Sequence, residues 1–188
     1  MTMRNLIITE NITLDGVIEM TEGWFDPSGG DDVDQSDLAE VTREHSAAAD
    51  AVLLGRVTFE EMRGFWPLQT DDTTGVADYL NQVSKFVVSS SLQDPDWDGT
   101  TVLRGPAVDE VAALKAAPGR DIVTTGSLTL VPELIAAGLV DEYRLFVYPV
   151  VVGHGRKLFT DDMKVPALRL VESRPFRSGV ALLRYRTD

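Results

Sequence analysis

The stretch from Asp121 to Phe159, DIVTTGSLTLVPELIAAGLVDEYRLFVYPVVVGHGRKLF, restricts the fold most, because it reads as one strand–turn–helix–strand unit. Asp121 to Thr124 is a short apolar strand, and Thr125-Gly126-Ser127 is a tight turn of small residues. A helix is predicted from there to about Ala137. Thr129 is its candidate N-cap, which puts Pro132 in the first turn, where a missing N–H costs no hydrogen bond. Gly138 is placed to end the helix in a left-handed C′ conformation. Tyr143 to Val152 is almost entirely apolar, the pattern of a strand buried on both faces. A strand, a small turn and a helix start bring backbone N–H groups together at the positive end of a helix dipole. A phosphate-bearing ligand near Gly126 is therefore expected. The competing reading is that the glycine only permits a tight turn.

The rest of the chain repeats the pattern. Leu6 to Thr13 is a first strand, followed by the turn Leu14-Asp15-Gly16. Glu22 to Asp34 is a loop rich in Gly, Pro and Asp that contains Trp24 and Phe25, either covering a pocket or lying on the core. Ser36 to Ala49 is a helix that Ser36 can cap, with Asp37, Glu40 and Glu44 in its N-terminal half and Leu38, Val41, His45 and Ala48 along one face. Ala51 to Leu54 is a buried strand ending at Gly55-Arg56, and a short helix follows from Thr58 to Arg63. Val76 to Val83 is helical, Lys85 to Val88 is a strand ending in Ser89-Ser90-Ser91, Thr100 to Leu103 is a strand, and Val108 to Ala116 is a helix. Ligands of open α/β sheets lie outside the carboxyl ends of the strands, so the donor-rich turns at Gly55, Ser89 and Gly126 attract attention together. Leu168 to Ser173 and Val180 to Arg186 alternate apolar and polar residues, a hairpin pattern. No linker divides the chain, so residues 1–188 are expected to form a single domain.

Composition narrows the partners. The net charge of −13 argues against nucleic acid and anionic membrane surfaces. The chain has no Cys, which excludes disulfides and thiolate chemistry. It has no signal peptide pattern and no run of 18 apolar residues, so a cytoplasmic location is expected. Its two histidines, His45 and His154, match no metal-binding spacing.

Four landmarks then fall in one order: Ile12-Thr13-Leu14-Asp15-Gly16-Val17-Ile18, Leu53-Leu54-Gly55-Arg56-Val57-Thr58-Phe59, Phe86-Val87-Val88-Ser89, and Val123-Thr124-Thr125-Gly126-Ser127 continuing to Pro149-Val150-Val151-Val152-Gly153-His154-Gly155. Across nearly the whole chain they resemble the dihydrofolate reductase superfamily, in the branch that includes the reductase domain of the bifunctional riboflavin-biosynthesis enzyme. The resemblance implies a dihydrofolate-reductase-like α/β fold: a mostly parallel central sheet, helices on both faces and antiparallel C-terminal strands. It also implies bound NADPH, with Gly55, Arg56, Val57 and Thr58 at the phosphates. Ser89, Ser90 and Ser91 would lie near the adenosine half, Gly126, Ser127, Leu128 and Thr129 at the pyrophosphate, and Leu14, Asp15 and Gly16 beside the nicotinamide. Ser127 stands where many relatives have a second glycine.

The chemistry expected is hydride transfer, for which the protein positions the nicotinamide against an electrophilic carbon and supplies a proton nearby. By the same resemblance a carboxylate on the first helix would assist the proton, which points to Asp37 and Glu40. Trp24, Phe25 and Trp66 are the candidate substrate contacts. The Glu10 to Asp37 region contains no Lys or Arg, which argues against a phosphorylated sugar and favours a small heterocyclic or carbonyl substrate. The alternative is a non-catalytic ligand-binding module that retains the reductase fold. A homodimer is also expected, using the C-terminal strands and the apolar Phe146 to Val152 run.

Overall fold

The computed structural model describes residues 3–21, 23–26 and 33–187. Glu22 and the Pro27 to Asp32 part of the loop carrying Trp24 and Phe25 lie outside the described residues.

β1 (Leu6–Thr13) forms because LIITENIT is covered on both faces, and six of its eight residues are buried. β2 (Ala49–Gly55), β3 (Ser84–Val88), β4 (Thr100–Leu103), β5 (Asp121–Thr124) and β6 (Glu142–Tyr148) run parallel to it. β7 (Leu168–Pro175) and β8 (Ala181–Thr187) form an antiparallel hairpin, and β8 pairs antiparallel with β6. The sheet order is β4-β3-β2-β5-β1-β6-β8-β7. This is the mostly parallel dihydrofolate-reductase-like sheet with antiparallel C-terminal strands that the sequence implied.

Side-chain alternation divides the core by face. On one face Leu6, Ile8, Ile12, Leu53 and Ile122 pack with Val111 of α4 (Ala107–Ala116) and with Val131, Leu134 and Ile135 of α5 (Leu130–Ala136). On the other, Val52, Leu54 and Val87 pack with Phe59 of α2 (Arg56–Phe65) and Leu80 of α3 (Val76–Gln82). Val41 of α1 (Ser36–Ala48) covers Phe146, Phe176, Val180 and Leu182 farther along that second face.

Three local expectations are corrected. The N-cap of α1 is Gln35, not Ser36, whose N–H instead donates to Asp34 Oδ1 at 3.0 Å. Thr129 precedes α5 without a side-chain cap bond, and α5 has only seven residues. The apolar run after Tyr143 leaves the sheet at Tyr148, and Val151 is 70% exposed in the following loop. Phe146 of that run is buried under Phe176, whereas its far end stays open at Val151. Gly138 does end α5 with φ +67. The Gly138 N–H bonds the Ile135 carbonyl and the Leu139 N–H bonds the Leu134 carbonyl, the paired closure of a Schellman cap. Among the described residues no helix is long and apolar enough to cross a membrane.

Candidate functional site

Parallel pairing brings the carboxyl ends of β1 to β6 to one edge of the sheet, where β2 lies between β3 and β5. The Gly55-Arg56 and Gly126-Ser127 turns meet there. The Gly55 N–H donates to Ser127 Oγ at 2.9 Å, and the Ser127 N–H donates to Thr58 Oγ1 at 2.8 Å. Ser127 Oγ in turn donates to the Thr125 carbonyl at 3.1 Å. Gly126 and Ser127 both have left-handed backbones, with φ +58 and +49. A Cβ on Gly126 would stand 3.0 Å from Thr58 Cγ2, so a side chain there needs both a left-handed backbone and a shift of Thr58. Ser127 does more than intrude where a glycine was expected, because its buried hydroxyl joins the two turns.

The remaining donors at this edge belong mainly to α2. Its ten residues begin directly after Gly55 with no side-chain cap, so the N–H groups of Arg56, Val57 and Thr58 have no intrahelical partner. Arg56 is exposed and pairs with Glu60 at 2.8 Å, and Val57 is 57% exposed. Ser89 is buried, and its hydroxyl accepts from Leu92 N–H at 3.0 Å and Ser91 N–H at 3.2 Å, closing the turn after β3. Ser90 and Ser91 are exposed. Leu128 packs against the core and Thr129 is exposed. These uncapped amides, the exposed Arg56 guanidinium and the exposed Ser90 and Ser91 side chains fit a phosphate-bearing cofactor, whereas the Ser127 N–H is already occupied.

Leu14, Asp15 and Gly16 lie at the end of β1, beside the loop that leaves β6. Asp15 Oδ2 accepts the Gly153 N–H at 2.8 Å, and Asp15 Oδ1 accepts the Thr13 hydroxyl at 2.6 Å. The Thr13 hydroxyl and the Gly153 N–H hold the Asp15 carboxyl down at about 2. Leu14 is left 63% exposed at this rim.

Between α1, α3 and the sheet lies a cavity of about 660 Å³. Its floor includes Thr9 and Asn11 of β1, with Val123 and Thr125 at the end of β5. Phe25, Trp66, Phe146 and Tyr148 supply aromatic surface, and Arg43 of α1 also lines it. Phe25 meets the Tyr148 ring edge-on at 5.7 Å, and Trp24 meets it at 5.5 Å. Trp24 is a second layer behind that wall, with its indole N–H on the Glu19 carbonyl at 3.0 Å. Burial pushes the Tyr148 phenol up to about 12, so it stays protonated.

Asp37 and Glu40 do not line this cavity. Asp37 Oδ2 accepts the Arg177 N–H at 3.1 Å, which turns it toward the β7–β8 hairpin, and Glu40 is exposed. The cavity-facing residues of α1 include Leu38, Ala39, Thr42, Arg43 and Ser46. His45 is half-buried with its ring 6.3 Å from Phe146, and burial with the Arg144 and Arg184 charges lowers it to about 4.

Sequence reasoning missed Thr9, Asn11, Thr125 and Arg43. The run of three polar residues Thr9-Glu10-Asn11 was the available signal, since a strand covered on both faces has no solvent side to explain them. It also missed Glu10, which is 1% exposed with both carboxyl oxygens lacking a hydrogen bond. Burial raises Glu10 well above the ordinary carboxylate range, and the Gly126 N–H opposes this more weakly.

Comparisons with known proteins agree with the fold. Residues 4–182 match the family model described as the RibD C-terminal domain. An uncharacterized protein of Bacillus subtilis (strain 168), YyaP, is 32% identical over 185 residues, covering 97% of this chain and 94% of that protein. The crystal structure of a putative riboflavin biosynthesis protein from Shewanella sp. PV-4 superposes with a TM-score of 0.69 at 20% identity, covering 97% and 98% of the two chains. Dihydrofolate reductase from Enterococcus faecalis, solved with NADP(H) and RAB-propyl, superposes with a TM-score of 0.63 at 18% identity, covering 97% and 95%. The chain therefore belongs to the RibD C-terminal domain family.

Proposed function

We propose that this protein is an NADPH-dependent reductase of a small heterocyclic or carbonyl compound. The observation that carries the reading is the continuity between two regions at one sheet edge. The uncapped start of α2 lies on one side of the β5 turn, and Thr125 of that turn lines the cavity on the other. The phosphates belong on the Arg56, Val57 and Thr58 amides, with Arg56 and the exposed Ser90 and Ser91 hydroxyls toward the adenosine half. Gly126 and Ser127 shape the passage, and Leu14, Asp15 and Gly16 border the nicotinamide. When bound, the cofactor supplies a hydride. The chain's own part is to hold the substrate ring between Phe25, Trp66 and Tyr148 and to hydrogen-bond it through Asn11, Thr9 and the protonated Tyr148 phenol. Asp37 and Glu40 act on the helix and hairpin, and water entering the cavity mouth brings the proton.

A specific observation favours a second reading, a binding module without turnover. The Gly55 and Ser127 N–H groups are both spent on side chains of the opposite turn, and the α1 carboxylates named from the sequence are not among the cavity-lining residues. One titration followed by one assay separates the readings. NADPH should quench the tryptophan fluorescence of the folded protein and raise its melting temperature, and a panel of pyrimidine, pterin and small carbonyl compounds should then oxidise it. Binding without oxidation across the panel selects the module. No response at millimolar NADPH removes the reductase reading.

A further inference from the structure

Glu10 lies on β1 between Ile8 and Ile12, on the face covered by α5. Ile8 pairs with Thr124 on one side, and Glu10 pairs with Leu145 of β6 on the other. Two residues beyond Ile8, Glu10 therefore reaches the level of Gly126, directly beneath the turn. Neither carboxyl oxygen completes a hydrogen bond, nor does the neighbouring Thr124 hydroxyl. The elements around it present Leu130, Val131 and Leu134 from α5, Leu145 from β6 and Ile122 and Thr124 from β5. Among the described residues no charged side chain acts on its ionisation, and the only opposing influence is the Gly126 N–H.

An isolated carboxylate in such a place would be costly, so the group is kept neutral. We propose that Glu10 is a positioning residue, a buried carboxylic acid whose proton lets the Gly126-Ser127 turn accept an anionic cofactor on its outer side. Neutral, it lies beneath the Gly126 N–H and adds no charge. Ionised, it would set a buried negative charge behind the turn that adjoins the α2 amides assigned to the phosphates, with little water between to screen it. By reciprocity, phosphate binding holds the proton on Glu10, and losing that proton weakens the phosphate. This inference rests on the NADPH reading above.

The test compares NADPH affinity of wild type and Glu10→Gln by tryptophan quenching, from about pH 6 to about pH 10, a range that spans a strongly raised carboxyl. Glutamine keeps the shape and cannot ionise. Wild-type affinity should fall about tenfold or more over the range, while the variant matches wild type at the acid end and loses affinity by less than about threefold. Glu10→Leu, which is apolar and also unable to ionise, should show the same flat profile if Gln distorts the turn. Parallel losses in wild type and both variants overturn the inference, as does a pH-independent wild type. Absence of NADPH binding to any of the three folded proteins at every pH overturns the cofactor reading and the inference with it. Binding without a Glu10-dependent pH profile overturns the inference alone.

Discussion

The N–H of Ser127 and the hydroxyl of Thr58, on turns 69 residues apart, share a 2.8 Å hydrogen bond. Ser127 is only 4% exposed, so the bond is sheltered and its loss leaves a buried donor unpaired. Thr58→Val keeps the shape and removes the acceptor. It should cost about 1–3 kcal/mol in urea unfolding, while Thr58→Ser stays near wild type.

Gly126→Ala tests the same junction by bulk. The new methyl would need φ +58 and would stand 3.0 Å from Thr58 Cγ2. Loss of about 1–2 kcal/mol is expected from backbone conformation alone. NADPH quenching should weaken in parallel, because Thr58 must move to admit the methyl.

Glu10→Gln should stabilise the folded protein above neutral pH. The folded-state pKa of Glu10 is raised above its unfolded value, so the native state holds the proton more tightly. Its contribution is fully present below the unfolded pKa near 4.5 and is lost as pH rises toward the folded pKa. Across that window wild type should lose ground to the variant by about 1.4 kcal/mol per pH unit, read as a widening gap in melting temperature. Equal gaps at about pH 5 and about pH 8 would show that Glu10 does not titrate as described.

Glu142 should behave in the opposite sense. It is buried, and its carboxylate accepts from Arg144 Nε at 2.7 Å and Arg186 Nε at 2.9 Å. Burial pushes it up, but the Arg144 and Arg186 hydrogen bonds and the Arg144 and Arg184 charges bring it to about 2. The stability it gives is present above the unfolded pKa near 4.5 and disappears as pH falls toward 2. Glu142→Gln strands several arginines and should cost about 3–5 kcal/mol at neutral pH. Its acid unfolding curve should be flatter than that of wild type.

Asn11 and Asp37 separate the cavity from the helix carboxylates. Asn11→Leu should retain NADPH binding and lower turnover of an oxidising substrate by about a hundredfold, a loss of ~2.7 kcal/mol of transition-state binding. Asp37→Asn should leave turnover within about twofold, because its carboxylate serves Arg177.

Much of the fold was legible because its strands are short apolar runs ended by glycine or hydroxyl turns. β1, β4 and β5 fall on the residues expected, and Gly138 closes α5 as its position suggested. The site was less legible where its partners are remote. Ser127 reads locally as an obstacle, since its use depends on Gly55, 72 residues earlier. Asp37 looks like a free helix carboxylate until the hairpin brings Arg177 to it from 140 residues away. Thr9 and Asn11 were hidden by β1 itself, because polar residues on a strand covered on both faces give no clue to which face holds a cavity.

The central place of β1 also bears on how the chain reaches its native state. The first strand made is flanked by β5 and β6, whose residues lie more than a hundred positions downstream. β2, β3 and β4 are nearer neighbours in sequence and can assemble early. The slot between β5 and β6 closes only when nearly the whole polypeptide is available, so such a topology carries a high loop-closure cost before its best contacts form. Refolding should therefore be governed by the late insertion of β1, and substitutions such as Ile7→Val should slow refolding measurably as well as accelerate unfolding.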